Sequence, residues 1–281
     1  MPVAMAPKSV LITGCSSGIG YDAAHQLKAR GWRVFASCRA TADCERLRGE
    51  GFESPHLDYE QPETIKSALA EVLKATGGRL DALFNNGAYG IPGLVEDLPP
   101  EALRAILQAN LIGPHDLTRQ VIPVMRAQGG GRIVNCTSVL GFIAYPFRGA
   151  YIATKYGLEG LTDSLRLEMR GSSIHVSLIE PGLIATKFGE NSGKQFLRWI
   201  DWERSARADE YRDTLLAKAE GKNRHARLEA PASAVTAKLI HALESAHPRS
   251  RYRITRLAQI AYVLKRILPT RSVDWIISRL G

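Results

Sequence analysis

Tyr151 and Lys155 stand four residues apart. The stretch Ala150 to Arg170 is predicted to be helical, which brings both side chains out on one face. A free tyrosine has a pKa near 10, too high for an efficient base at neutral pH, and a neighbouring ammonium stabilises the phenolate and lowers that value. Such a pair can exchange a proton with an alcohol or carbonyl oxygen. Ser138 follows the β-prone run Ile133-Val134-Asn135-Cys136-Thr137. Its hydroxyl can hold a substrate oxygen and stabilise developing charge there, with Thr137 as the neighbouring alternative. Alone, Y-x-x-x-K usually marks a surface pair, and a serine after a strand is usually a turn residue. The weight of each comes from its company.

A second set of residues binds rather than reacts. Thr13-Gly14-Cys15-Ser16-Ser17-Gly18-Ile19-Gly20 joins the first β-prone run, Ser9 to Thr13, to the first helical one, Gly20 to Arg30. Glycines there let the chain turn sharply and let a diphosphate reach the N–H groups at a helix N-terminus, where the helix dipole favours an anion. The spacing is G-x-x-x-G-x-G, not G-x-G-x-x-G. The next strand-like run, Trp32 to Ser37, leads into Cys38-Arg39. An acidic residue normally stands at the end of this strand in an NAD-selective site. Cys38 brings no negative charge to repel a 2′-phosphate, and the Arg39 guanidinium can fork onto one. The preferred cofactor on this reading is NADP(H).

These residues need a scaffold that converges them. Strand-like runs also occur at Leu80 to Asn85, Gly131 to Thr137 and Ile174 to Glu180, and helical spacing at Glu63 to Lys74 and Leu103 to Met125, broken near Gly113-Pro114. Alternating β and α segments predict an α/β fold: a doubly wound, Rossmann-type parallel sheet with helices on both faces and a crevice at the strands' carboxyl ends. The predicted catalytic and dinucleotide-binding domain spans 1–248. It contains a charged, aromatic-rich excursion at 186–230 with Phe188, Phe196, Trp199, Trp202 and Tyr211. A helical C-terminal extension occupies 249–281.

With the T-G-x-x-x-G-I-G fingerprint at 13–20, the chain resembles the short-chain dehydrogenase/reductase family. The thirteen positions from Ser138 to Tyr151 also resemble the family's serine-to-tyrosine spacing and favour Ser138 over Thr137. The resemblance implies a catalytic set of Asn110, Ser138, Tyr151 and Lys155. In it Asn110 kinks its helix and holds a water leading to the lysine, and Lys155 binds the nicotinamide ribose. It implies cofactor contacts from Gly14, Ser16, Ser17, Gly18, Ile19 and Gly20, and from Asp58 to the adenine. Asn86-Gly87 resembles part of the family's N-N-A-G, with the last two residues of that segment swapped here. Pro181-Gly182-Leu183-Ile184-Ala185-Thr186 resembles its P-G-x-x-x-T, in which Ile184 and Thr186 hold the carboxamide. The implied reaction interconverts a carbonyl and an alcohol without a metal. More loosely, Cys38-Arg39 and the C-terminal extension resemble the branch of hydroxysteroid and retinol dehydrogenases and bacterial aldehyde reductases. That implies a lipophilic ketone, aldehyde or alcohol as the small-molecule substrate. A β-ketoacyl carrier-protein reductase and a non-catalytic NADP(H)-sensing protein are the alternatives. The family is often dimeric or tetrameric, so a homodimer or homotetramer is expected.

The bulk numbers agree with this. The 281 residues are 45% hydrophobic and 23% charged, ordinary for a globular protein. Cys15, Cys38, Cys44 and Cys136 form no metal-ligand spacing and no disulfide framework, so a reducing cytoplasm is the default location. Met1 to Pro7 lacks the features of a signal peptide, and no apolar run is long enough to span a membrane. The net charge of +9 is dispersed except near the C-terminus, which argues against nucleic-acid binding. There Arg253, Arg256, Lys265 and Arg266 mix with Ile254, Leu257, Ala258, Ala261, Leu264 and Leu268, and then Trp275, Ile276, Ile277 and Leu280 follow. Such a stretch can lie on an anionic membrane. Packing or oligomerisation is the preferred expectation.

Overall fold

The computed structural model of the chain describes residues 7–217 and 229–279. The excursion's 218–228, the first six residues and Leu280 lie outside them. Six strands build one sheet in the order β2-β1-β3-β4-β5-β6: β1 Ser9–Ile12, β2 Arg33–Ala36, β3 Ala82–Asn85, β4 Gly131–Cys136, β5 Ile174–Glu180 and β6 Arg251–Arg253. Every pairing is parallel. The fold is the predicted α/β one, with helices around a parallel sheet.

The two faces of the sheet are sealed by different helices. Val10 and Ile12 of β1 turn to one face and pack with Ala23, Ala24 and Leu27 of α1 (Gly18–Ala29) and with Val235 and Leu239 of the helix Ala232–Glu244. Leu11 between them turns to the other face. It joins Ile65 and Val72 of α3 (Pro62–Thr76) and Leu117 and Val121 of α5 (Gly113–Ala127). This alternation is the period-2 geometry of a strand buried on both sides. Each of these valine, leucine and isoleucine side chains stabilises the fold by roughly 1.5–3 kcal/mol relative to leaving it in water.

From β1 the chain winds to β2 on one side and returns past β1 to β3 on the other. The crevice beyond the carboxyl ends of β1 and β3 is therefore the switch point, where an open α/β sheet binds its ligands. Thr13 to Gly20 and Asn86-Gly87 both lie there.

Four local features differ from the sequence reading. The helix over Leu103 to Met125 does not break at Gly113-Pro114. α4 (Pro100–Leu107) continues through a π-helical turn, Gln108–Ile112, into α5, whose second residue is Pro114. Pro114 has no N–H to give to this continuous helix, and it falls where the π-helical turn has shifted the bonding pattern, Gly113 N reaching back to Gln108 O. Gly113 serves packing: a Cβ on it would lie 2.4 Å from Tyr59 Cβ. Next, α2 (Thr41–Gly49) is a helix that the reading did not contain; it buries only Cys44 and Leu47. The segment before Asp58, where no strand-like run was named, extends beside β2 through two isolated bridges, Phe35↔Glu53 and Cys38↔His56. Finally, the stretch from 249 begins by adding β6 to the sheet, and its helices start only at Arg256.

Candidate active site

The glycine loop is held from below by Thr13. Its Oγ1 accepts the backbone N–H of Asn86 (2.9 Å) and of Gly87 (3.1 Å), and it lies 2.9 Å from the hydroxyl of Tyr59, which donates to Asn85 Oδ1 at 2.7 Å. Asn86 Nδ2 returns to the carbonyls of Thr13 (3.0 Å) and Gly14 (3.3 Å). The glycine loop and the Asn86-Gly87 segment thus lock each other. Gly14 has φ +69°, and a Cβ on it would stand 2.6 Å from Gly87 Cα; one on Gly20 would stand 2.4 Å from Gly14 O. Both contacts are with backbone that cannot yield. Ala88 has no left-handed backbone, so the swapped order needs no glycine at that position.

This cradle suits a dinucleotide diphosphate. Ser17, the residue before α1, is extended and makes no side-chain cap, and the first turn of α1 carries no acidic residue. Its leading N–H groups are therefore left to an incoming anion. Ser16 is exposed on the loop and its carbonyl accepts from Arg46 of α2 (2.8 Å), while Ile19 packs into the core. Cys38 is buried, and burial pushes its thiol up to about 12, so it stays uncharged beside the loop. Arg39 is exposed, with its guanidinium 5.9 Å from the Tyr89 ring centroid, and it forms no ion pair among the described residues. Asp58 is engaged locally: its Oδ1 accepts from Glu60 N (3.0 Å) and its Oδ2 from Gln61 Nε2 (3.4 Å).

Tyr151, Lys155 and Ser138 converge. Tyr151 and Lys155 leave one face of α6 (Gly149–Glu168), and Ser138 follows β4 in extended backbone, ahead of the short turn Val139–Gly141. All three are buried. Tyr151 and Ser138 share a side-chain hydrogen bond. The Ser138 Oγ also accepts from Leu140 N at 3.1 Å. Lys155 Nζ donates to Cys136 O at 2.8 Å and lies 5.5 Å from the centroid of the Tyr151 ring. Thr137 is turned away, with its hydroxyl on Glu159 Oε1 (2.5 Å) and Ile179 O (3.1 Å), which leaves Ser138 as the serine or threonine facing the tyrosine.

The electrostatics reverse one expectation. Tyr151 is not lowered in this structure. Burial raises its pKa above the ordinary tyrosine value, Cys136 adds to the rise, and the bond from Ser138 and the charge of Arg148 only partly oppose it. Lys155 is itself depressed by the same desolvation. Two groups taken out of water each favour their neutral forms, and here that outweighs the charges that would favour ionisation, Arg148 for Tyr151 and Cys136 and Glu159 for Lys155.

Asn110 sits in the π-helical turn and is fully buried. Its Oδ1 accepts from Tyr89 N (3.1 Å), and its Nδ2 donates to Tyr89 O (2.7 Å) and Thr154 Oγ1 (3.3 Å). The side chain thereby ties the segment after β3 to α6. It is spent on these partners rather than aimed at Lys155.

Pro181 to Thr186 closes the crevice from the β5 side. Pro181 O accepts from Val139 N at 2.8 Å, Ile184 forms a bridge with Ala230, and the Thr186 side chain lies so near Gly18 that a Cβ there would stand 3.0 Å from it. Beyond it α7 (Phe188–Trp199) brings Phe188 edge-on to Tyr151, ring centroids 5.3 Å apart. Phe196 and Tyr211 pack inward with Ile91, Leu94 and Tyr151, so the excursion both lines the site and fills a core. Phe147 adopts φ +61°, uncommon for a bulky side chain, and its carbonyl accepts from Gly93 N (3.0 Å). This unusual turn leads directly into α6. Tyr59 escaped the sequence reading, and Thr13 stood in it only as the polar residue closing a strand within the glycine fingerprint.

Known proteins resemble this chain in sequence and fold. The family description for short chain dehydrogenases matches residues 8–196. The chain is 40% identical over 270 residues to the uncharacterized oxidoreductase YbbO of Escherichia coli K12, covering 96% of this chain and 94% of that protein. It is 34% identical to human retinol dehydrogenase 16, covering 96% of this chain and 87% of the relative. Its fold matches a short chain dehydrogenase/reductase from Burkholderia phymatum, solved in complex with NAD, with TM-score 0.76, 23% identity and 93% of each chain covered. From glycine loop to tyrosine helix, the chain belongs to the short-chain dehydrogenase/reductase family of oxidoreductases.

Proposed function

We propose that this protein is an NADP(H)-dependent oxidoreductase that interconverts a carbonyl and an alcohol on a lipophilic small molecule, with Tyr151 as the proton-transfer residue. The observation that carries the reading is the buried Tyr151–Ser138 hydrogen bond beside Lys155, at the strand ends that also hold the uncapped glycine loop.

A nicotinamide dinucleotide held by Gly14 to Gly20, with Asn86, Gly87, Pro181, Ile184 and Thr186 around it, would supply or accept the hydride. The chain's own residues do the rest. Ser138 holds the substrate oxygen. Tyr151, kept protonated by burial, gives that oxygen its proton during reduction and takes it back during oxidation. Lys155 sets its amine beside the phenol, 5.5 Å from the ring centroid, and the Asn110 bonds fix the backbone beside it. Phe188 and the apolar cluster around Ile91 and Leu94 exclude water from the reacting centre and suit an apolar substrate. The similarity to a retinol dehydrogenase supports the same substrate class. Arg39, without a carboxylate partner among the described residues, and Cys38, uncharged, support NADP(H) over NAD(H). A homodimer or homotetramer and a reducing, cytoplasmic setting complete the proposal. Exposed Leu161 and Leu167 on α6 offer apolar surface to a second copy, and all four cysteines are free thiols.

The test is nicotinamide oxidation, followed by absorbance, across aldehydes and ketones graded by chain length, with NADPH and NADH in parallel. The expected result is turnover that rises with apolar chain length and favours NADPH. Arg39→Ala should reduce that preference by about tenfold or more, the loss of one charge-assisted phosphate contact worth roughly 1.5–3 kcal/mol. Equal use of both cofactors by the unaltered protein would overturn the cofactor assignment.

A further inference from the structure

We infer that the C-terminal helices form a docking surface for an anionic lipid bilayer. The helix Arg256–Ile267 has two unlike faces. Its inner face is anchored: Ala258 is fully buried, Tyr262 packs edge-on against Phe142 with ring centroids 5.6 Å apart, and Lys265 Nζ reaches Tyr156 OH at 2.6 Å. Its outer face is a stripe at helical spacing made of Leu257, Ile260, Val263 and Ile267, each about half exposed or more. The helix Thr270–Ser278 buries none of its residues fully and adds Trp275, 59% exposed. Aliphatic stripe and tryptophan face away from the protein, and no described segment covers them.

Charge selects the occupant. Across 256–279 the basic residues Arg256, Lys265, Arg266, Arg271 and Arg279 are all exposed and meet a single carboxylate, Asp274. Arg279 lies over the Trp275 ring, 4.3 Å from its centroid. Lys265 is turned to Tyr156, but the rim of exposed arginines beside the apolar stripe matches a surface that is anionic outside and hydrocarbon beneath. A second copy of the chain is a poorer match, because a two-fold contact would set this rim against itself. No helix among the described residues is long and apolar enough to cross a membrane, so the contact is with the surface.

The position gives the contact a use. Phe142 lies four residues after Ser138, and Tyr156 is next to Lys155, so the inner face of the helix packs on the turn and helix that carry the site. Docking would set the site beside a reservoir of lipophilic molecules. That use rests on the function proposed above; the docking itself does not, and its test needs no turnover.

The experiment is co-sedimentation of the full-length protein with vesicles of phosphatidylcholine alone or with phosphatidylglycerol at three to one. The expected result is binding only to the anionic vesicles, weakened by high salt. Arg256→Gln with Arg271→Gln should lower the partition roughly 25-fold, about fivefold per basic side chain. Ile260→Asp with Ile267→Asp should abolish it while circular dichroism stays unchanged, since both positions face solvent. Equal binding to both vesicles, no binding, or binding that survives the aspartate pair would overturn the inference. So would light scattering that shows a dimer which the aspartate pair dissolves while the unaltered protein ignores vesicles; the face would then join two copies.

Discussion

Tyr151 is governed by opposing influences. Burial and, after it, Cys136 oppose its ionisation, while the Ser138 bond and the Arg148 charge favour it; the Lys155 amine nearby donates to Cys136 O. Burial prevails, so the folded pKa lies above the ordinary value of ~10. A group with a raised folded pKa is stabilised in its protonated form. That contribution is complete below the ordinary value and is lost as pH rises through the folded one. The same sign applies to catalysis, because the reductive direction needs the phenol as an acid. The kcat/KM for carbonyl reduction should therefore stay level through neutral pH and decline only above about pH 10. A rate profile against pH with saturating NADPH checks this; a decline near neutrality would mean that another group donates the proton. At this scale the sequence was informative where residue type and spacing coincide. Tyr151, Lys155 and the glycines follow from a helical repeat and a turn that tolerates no side chain. The raised phenol did not follow, because desolvation depends on elements distant in sequence: α7 supplies Phe188 and β4 supplies Cys136.

Among the elements, α6 carries Tyr151 and Lys155, and β6 helps fix it. Arg251 of β6 contacts Glu159 of α6 and Glu180 of β5, and pairs with Asp163 at 2.5 Å; Arg253 reaches Glu180 at 2.8 Å. Glu180 is fully buried, and Glu159, one turn beyond Lys155, also receives the Thr137 hydroxyl. Removing Arg251 would leave buried carboxylates facing one another, which costs about 3 kcal/mol or more. Arg251→Ala should lower Tm by on the order of 10 °C in a thermal melt, with activity at low temperature falling less than stability. A melt unchanged within 2–3 °C, the scale of roughly 1 kcal/mol, would show that the network does not hold α6 in place. This element was hidden in the sequence for a physical reason. Arg251-Tyr252-Arg253 reads as charged and polar, and it becomes an edge strand only because the carboxylates that neutralise it come from α6 and β5. α2 was hidden likewise, since only Cys44 and Leu47 mark its buried side. The strands β1 to β5 were legible because each is a short apolar or β-branched run set between helical repeats.

The whole molecule uses its sheet order to bring parts together. The switch between β1 and β3 opens the crevice, Thr13 and Asn86 lock its floor, and α6 and α7 build the wall that holds Tyr151 and Phe188. The winding of the sheet followed from the alternation of segments. The closeness of Thr186 to Gly18 and of Phe188 to Tyr151 did not, because loops after β5 have no period that fixes where they fold back. The proposed function joins all three scales in one residue: a single phenol, held protonated by the fold, would transfer the proton. The most direct measurement compares the unaltered protein with Tyr151→Phe, following NADPH oxidation with a long-chain aldehyde and, separately, NADPH binding by fluorescence. The account predicts that kcat falls by at least ~10²-fold, the usual worth of a positioned general acid, while NADPH affinity changes little. Turnover by Tyr151→Phe equal to that of the unaltered protein would contradict it.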